Sequence, residues 1–366
     1  MLTYKHLGVK TFINASGTIT TIGGSLMPQS VLEAMREAAS DFVDLHELYV
    51  KAGRYLACMI GVEGAFISAG AASGMQLSAV ACMTGNKIES VRNLPHTDGH
   101  KNEFVISRVD PHLYIHQGIE ACGGKLVRVG SEAQVTTEQI IAGVGDKTAA
   151  VVHFLGKQTK EQLQEVIAGT RDRAVPVIVD AAAQLPPRSN LTELLSLGAS
   201  LVVFSGGKGM RGPQCTGLVL GKQTFVEAVR LNASPYSAIG RGMKVGKEEI
   251  LGLVTAVDLF LKGTDKQDIE KWERQAGRVL EILGSVQGVK MYVLRENQPV
   301  HPDFTPRAYL DLESEKAEKA VGLLRNGDPP IAVRKGPKGI IIDPMTLREG
   351  EEETVALILK EVLLRL

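Results

Sequence analysis

Between residues 64 and 221 the chain alternates short apolar runs with longer segments of helical spacing. Seven runs read as strands: 64–68 (GAFIS), 103–107 (EFVIS), 125–129 (KLVRV), 148–155 (TAAVVHFL), 175–180 (VPVIVD), 200–205 (SLVVFS) and 216–221 (TGLVLG). Most are apolar at successive positions rather than at every second one, the pattern of strands buried on both faces. Between them lie helix-like segments such as AASGMQLSAVACM, YIHQGIEACG and TKEQLQEVIAG. Strand and helix in alternation predict an α/β fold built on a mainly parallel seven-stranded sheet with helices on both faces.

After residue 245 the pattern changes. GKEEILGLVTAVDLFLKG and DKQDIEKWERQAGRVLEILGSV predict two long amphipathic helices. Short runs at KMYVL, RAYLDL, PPIAVRK and KGIIID, a helix near EKAEKAVGLLRN and a C-terminal helix, EEETVALILKEVLLRL, complete an α+β module. The expected organisation is an N-terminal arm and helices packing on the large domain (1–60), a large α/β domain (61–245) and a smaller α+β C-terminal domain (246–366).

Composition narrows the function. Lys plus Arg equals Asp plus Glu at 41 each, so the formal net charge is zero. With no dense basic run either, a protein that grips nucleic-acid phosphates is not expected. No apolar run approaches the roughly 18–20 residues of a membrane span, and MLTYKHLGVKTFINASG carries no secretory h-region. The four cysteines, Cys58, Cys82, Cys122 and Cys215, form no C-x-x-C pair, which suits a reducing cytoplasm better than a disulfide framework or zinc knuckle. His96 and His100 in HTDGH have H-x-x-x-H spacing, but Pro95, Asp98 and Gly99 oppose the helix that would align them, so no metal site is expected.

In open α/β sheets ligands bind beyond the carboxyl ends of the strands, and three such ends carry chemistry. The first is ISAGAASGM, 67–75, where small residues lead a strand into a helix whose first N–H groups favour an anion. Close helix–strand packing explains the same residues equally well, and the dinucleotide G-x-G-x-x-G is absent. The second is VIVDAAAQLPP, where Asp180 ends an apolar strand as a partner for a protonated ring nitrogen or as a helix N-cap. The third is VVFSGGKGMRGPQ, 202–214. A P-loop would need glycine and a hydroxyl where Val202 and Gly209 stand. A glycine-flanked lysine after a buried strand instead sits at the bottom of a cleft, where the glycines leave room for a ligand over Lys208. Partial desolvation there favours the free amine that forms a Schiff base. Ser205 adds a hydroxyl for a phosphate. A phosphate cradle, an acid for a pyridinium nitrogen and a reactive lysine are the anchors that pyridoxal 5'-phosphate needs.

The same stretches resemble a known family. FINASGTITTIGGS, GRYLACMIGVEGAFISAGAASG, VIVDAAAQLPP, FSGGKGMRGPQCTGLVLG and PPIAVRKGPKGIIIDPMTL are similar to the fold-type-I pyridoxal-phosphate enzymes, within the selenocysteine synthase and D-glucosaminate-6-phosphate ammonia-lyase superfamily. The resemblance implies that Lys208 carries the cofactor, that Asp180 pairs with the pyridine nitrogen, and that Gly70, Ala71, Ala72 and Ser205 hold the phosphate. A ring stacking on the pyridine would come from SRVDPHLYIHQG, which offers His112, Tyr114 and His116, with His112 nearest the strand end. His116 reads equally as an exposed helix histidine. Arg211, Arg241, Arg307 and Arg334 are cationic candidates for substrate carboxylate or phosphate, of which Arg211 and Arg334 lie in family-like segments; Asn14 and Ser16 border the pocket.

Selenocysteine synthases carry an additional N-terminal domain that helps hold tRNA. This chain reaches INASG at Ile13, so the resemblance favours the sugar-acid lyases and disfavours a nucleic-acid partner. The activity implied is α,β-elimination from a hydroxylated amino acid in amino sugar acid catabolism, with a phosphorylated sugar acid as substrate. The enzyme would be a cytoplasmic homodimer or larger homo-oligomer. A different pyridoxal-phosphate lyase or β-replacement enzyme, a seryl-tRNA selenium transferase-like protein, and a scaffold retaining the fold are the alternatives.

Overall fold

A computed structural model describes residues 2–284, 286, 289–295 and 305–366 of the chain. In chain order the strands are β1 (Ile13–Ala15), β2 (Gly64–Ser68), β3 (Glu103–Ser107), β4 (Lys125–Val129), β5 (Thr148–Phe154), β6 (Val177–Asp180), β7 (Leu201–Ser205), β8 (Gly217–Gly221), β9 (Lys290–Leu294), β10 (Arg307–Asp311), β11 (Ile331–Gly336) and β12 (Gly339–Ile342). The helices are α1 (Gln29–Ala39), α2 (Leu45–Ile60), α3 (Gly70–Thr84), α4 (Ile88–Asn93), α5 (Leu113–Ala121), α6 (Thr137–Ala142), α7 (Lys160–Thr170), α8 (Asn190–Ser196), α9 (Gln223–Asn232), α10 (Lys247–Lys262), α11 (Asp265–Leu283), α12 (Ser314–Arg325) and α13 (Glu351–Leu364).

These elements form two compact units. The larger runs from Leu26 to Lys262; the smaller joins the N-terminal segment through Ser25 to the described residues from Gly263 onward. The cuts therefore fall elsewhere than at residues 60 and 245. The N-terminal arm supplies β1, which pairs with β11. Helix α10 stays with the larger unit because its apolar face packs on α1 and α2.

The larger unit holds a seven-stranded sheet in the order β2-β8-β7-β6-β5-β3-β4. Only β8 runs against its neighbours; the rest are mutually parallel. The carboxyl ends of β2, β3, β5, β6 and β7 thus share one edge of the sheet. Ser68 of β2 and Ser205 of β7 both register on Gly217 of β8, which ties the two strand ends together. Phe104, Val151, Ile178, Val179, Val202, Val203 and Phe204 are buried to 1% exposure or less, as continuous apolar runs require. Each such side chain contributes about 1.5–3 kcal/mol of burial. Helix α3 is apolar nearly all round because it lies on β5–β8 between α5 and α9.

The smaller unit holds a five-stranded sheet, β1-β11-β12-β10-β9, antiparallel except for the β1–β11 pair. Ala308, Leu310, Ile340, Ile342 and Val333 pack with Ala276, Val279, Ala317, Leu324, Val355 and Leu359 of α11, α12 and α13 into its core. By register, Arg307, Tyr309, Ile341 and Arg334 occupy the opposite face of the sheet. Among the described residues no helix is long and apolar enough to cross a membrane.

Candidate active site

Asp180 ends β6 in the middle of the sheet, opposite Phe154 of β5 and Val203 of β7. Its Oδ1 accepts the Ala182 N–H at 2.9 Å, and the turn after it is tied to β7 by Ala181 N–H to Val203 O, 2.9 Å, and Ser205 N–H to Ala182 O, 3.3 Å. The helix N-cap alternative fails, because the chain continues as a turn and α8 begins only at Asn190. Burial pushes the Asp180 carboxyl up; the Ala182 N–H and the charges of Lys208 and His112 oppose this, and Asp110 adds to it.

Lys208 lies in the turn between β7 and β8. Gly206 N–H donates to Thr216 O and Gly212 N–H to Gly206 O, both at 2.8 Å, and Arg211 N–H returns to Lys208 O at 3.0 Å. The expectation that the glycines leave room above the lysine is corrected here. A Cβ on Gly206 would stand 2.1 Å from Thr216 Oγ1, on Gly207 2.4 Å from Gln214 Cα, and on Gly209 2.2 Å from Leu185 O. The glycines let the loop close on itself and on the segment after Asp180, which fixes the root of the lysine. Burial pushes the Lys208 ammonium below the usual lysine range, and only the Asp180 charge counters it.

Gly70 opens α3 at φ 81°, and a Cβ there would meet nothing within 4 Å. Across from it, a Cβ on Gly217 would stand 2.5 Å from the Gly70 carbonyl carbon, so the absence of a side chain at 217 is what lets this turn sit down on β8. The N-cap, Ala69, has no side chain to satisfy the first-turn N–H groups. Gly70 and Ala71 are half-buried and Ala72 exposed, which leaves an anion-ready helix start two strands from Ser205.

Beyond β3, both oxygens of the buried Asp110 engage one residue. Oδ2 accepts the His112 N–H at 3.0 Å, and Oδ1 lies 2.6 Å from His112 Nδ1. The Asp110 hydrogen bond raises the His112 pKa against partial burial, and the charges of Asp180 and Lys208 also act on this ring. Tyr114 packs edge-on to it at 5.4 Å, and its phenol is pushed up to about 12 by burial with the Asp180 and Asp110 charges adding. His116 is not the exposed helix histidine that the sequence offered. It is buried and stacked on Phe154, and burial lowers its pKa. Asp110 was missed by the sequence reading, although a D-x-H turn directly after a strand is a legible signal.

The remaining candidates divide between the units. Arg211 is exposed, sits at φ 57° and donates from Nε to Leu26 O at 3.1 Å. Asn14, Ser16 and Arg334 belong to the smaller unit. Asn14 serves its own turn, accepting Ser16 N–H at 2.9 Å and donating to Gly17 O at 3.1 Å, while Ser16 bridges to Asp343. Arg334 buries Nε and Nη2, one edge of its fork, without a hydrogen-bond partner among the described residues. Burial pushes its pKa down, with Asp343 opposing and Arg307 adding. Arg307, a sequence candidate for a substrate carboxylate or phosphate, is 1% exposed and paired at 2.7 Å with the fully buried Asp343, a partner the sequence did not reveal.

A desolvated amine, a buried carboxylate at the adjacent strand end and an open helix N-terminus with a nearby hydroxyl fit an aldehyde cofactor that carries a ring nitrogen and a phosphate. No family model matches the chain. It is 32% identical to the 5'-C-glycyluridine monooxygenase-decarboxylase of Streptomyces sp, over 99% of this chain and 92% of that one. It is 28% identical to the D-glucosaminate-6-phosphate ammonia lyase of Salmonella typhimurium, over 98% and 97%. A solved structure of D-glucosaminate-6-phosphate ammonia-lyase superposes with a TM-score of 0.82 at 26% identity, covering 99% of this chain and 98% of that one.

Proposed function

This chain belongs to the selenocysteine synthase and D-glucosaminate-6-phosphate ammonia-lyase superfamily of fold-type-I pyridoxal-phosphate enzymes, and from that premise we propose that it eliminates water and then ammonia from a phosphorylated amino sugar acid. Its cofactor is pyridoxal phosphate. The substrate best supported is D-glucosaminate 6-phosphate, which would yield 2-keto-3-deoxy-6-phosphogluconate and ammonia. The observation that carries this reading is the placement of Lys208 and Asp180 at neighbouring strand ends, each perturbed by the other's charge.

Bound pyridoxal phosphate supplies an electron sink that makes the hydrogen beside a substrate amine acidic. Lys208 would carry it, Asp180 would share a proton with its ring nitrogen, and Gly70, Ala71, Ala72 and Ser205 would hold its phosphate. The lowered pKa of Lys208 keeps a larger share of the amine free, so that it takes the Cα proton and returns one to the departing β-hydroxyl. His112 walls the site beside Asp180 and Lys208. Arg211, three residues after Lys208, is assigned to the sugar phosphate. Asn14 lies in β1, which pairs with β11, and Ser16 follows that strand. We assign the working form to a cytoplasmic homo-oligomer.

The test is visible absorption of the purified protein, borohydride reduction and peptide mapping, followed by ammonia and 2-keto-acid release from D-glucosaminate 6-phosphate. An adduct on Lys208, its absence in Lys208→Ala, and a loss of turnover of at least about 100-fold in that variant are expected. A protein that takes up no cofactor overturns the reading. The relative at 32% identity favours a second reading, oxidative decarboxylation of a glycyl nucleoside. Oxygen uptake with carbon dioxide release, and no ammonia from the sugar acid, would select it.

A further inference from the structure

The Asp110–His112 pair has no part in the roles assigned above beyond His112 serving as a wall. Asp110 is 3% exposed at its side chain, whereas His112 is 42% exposed. A carboxylate this buried needs a compensating partner, and both of its oxygens are committed to His112, one to the backbone N–H and one to the ring. Two bonds to one residue fix the ring's root and its rotation together. A 2.6 Å contact between a carboxylate oxygen and Nδ1 requires the proton on Nδ1, so proton exchange falls to Nε2.

We propose that Asp110 is a positioning residue that locks His112 as the Nδ1–H form and thereby presents Nε2 as the ring's proton-exchanging atom beside Lys208 and Asp180. The proposal rests on the pyridoxal-phosphate reading for its use in the reaction but not for its geometry. The groups acting on His112 are Asp110 from the turn after β3, Asp180 from the end of β6, Lys208 from the β7–β8 turn and the Tyr114 ring from α5. The Asp110 hydrogen bond to Nδ1 favours the protonated imidazole, and the ring stands near enough to Asp180 and Lys208 for their charges to act on it. A proton on Nε2 is then available for exchange with a substrate hydroxyl other than the one that leaves. Asn at 110 would keep an acceptor for one N–H and lose the charge, whereas Glu would keep the charge.

The experiment titrates the ring signals of His112 in isotopically histidine-labelled wild type, Asp110→Asn and Asp110→Glu, with His112→Gln assigning the signal, and sets them beside the pH profile of kcat/KM. In the wild type His112 should titrate above free imidazole and keep Nδ1 protonated on both sides of the midpoint. In Asp110→Asn the midpoint should fall and the limb of the pH profile should move with it, while borohydride still labels Lys208; Asp110→Glu should restore much of the midpoint. A wild-type ring whose neutral form carries its proton on Nε2 overturns the proposal. So does an Asp110→Asn protein whose midpoint and profile limb stay put while activity drops equally at every pH, since that would mark a structural turn only. Should Asp110→Asn not fold, the wild-type tautomer and the Glu variant still decide. If wild type binds no cofactor, the function reading fails by the missing Lys208 adduct while the ring titration continues to report on Asp110.

Discussion

Gly209→Ala tests whether the glycines around Lys208 hold the lysine in place. A Cβ at 209 would stand 2.2 Å from the Leu185 carbonyl oxygen and 2.8 Å from its carbon. Ordinary contact begins at 3.4 Å, so about 1.2 Å of movement is needed, and it must come from backbone on one side or the other. Leu185 is itself held, since its neighbour Gln184 donates to Leu155 O and accepts from Asn190 Nδ2. The Lys208 turn should therefore yield. Overpacking of this kind destabilises by about 1–3 kcal/mol, a fraction of a domain's stability. Misplacing a reacting group by about 1 Å can lower the rate about 100-fold. Activity should thus fall far more than stability. The assay compares kcat and the rate of borohydride-trappable cofactor loading with the urea midpoint of the same preparation. A Gly209→Ala variant with wild-type kcat and loading would refute the idea that the loop's closure on Leu185 sets the lysine's position.

The remaining expectations concern stability. His153 is fully buried on β5, and burial drives its pKa from 6.5 down to about 3, with a hydrogen bond to the Thr159 backbone opposing. The unfolded chain therefore binds the extra proton, so stability should be intact above about pH 6.5 and fall on acidification towards pH 3, by on the order of 5 kcal/mol in all. His153→Leu should flatten that part of the curve in urea titrations at stepped pH, and an unchanged slope would contradict it. Asp343→Ala should destabilise by about 3–5 kcal/mol in equilibrium denaturation, because it leaves the Arg307 guanidinium buried without its partner. A loss under about 1 kcal/mol would mean that water reaches Arg307.

How far the sequence reaches is plain at particular residues. Most strands of the large sheet were legible because strands buried on both faces must be apolar at successive positions, a pattern that survives in any arrangement of neighbours and from which the partly exposed edge strand β4 departs. Lys208, Asp180 and the small-residue helix start were legible for a related reason, since strand ends of such a sheet converge on one edge whatever the loops do. The strand order was not in the sequence, nor was the pairing of β1 with β11, because both depend on contacts between segments far apart along the chain. Nor could local sequence distinguish glycines that make room from glycines that accept a neighbouring backbone. That distinction depends on Leu185, Gln214 and Thr216 arriving from elsewhere. His112 and His116 illustrate the same limit within one short segment: the pattern offers both rings, and only packing sends one to Asp110 at the sheet edge and buries the other on Phe154. The sequence by itself determined which chemical groups exist and which strand ends carry them. The tertiary structure decided their burial, partners and charge, because desolvation and Coulomb energy depend on what surrounds a group in space and not on its neighbours along the chain.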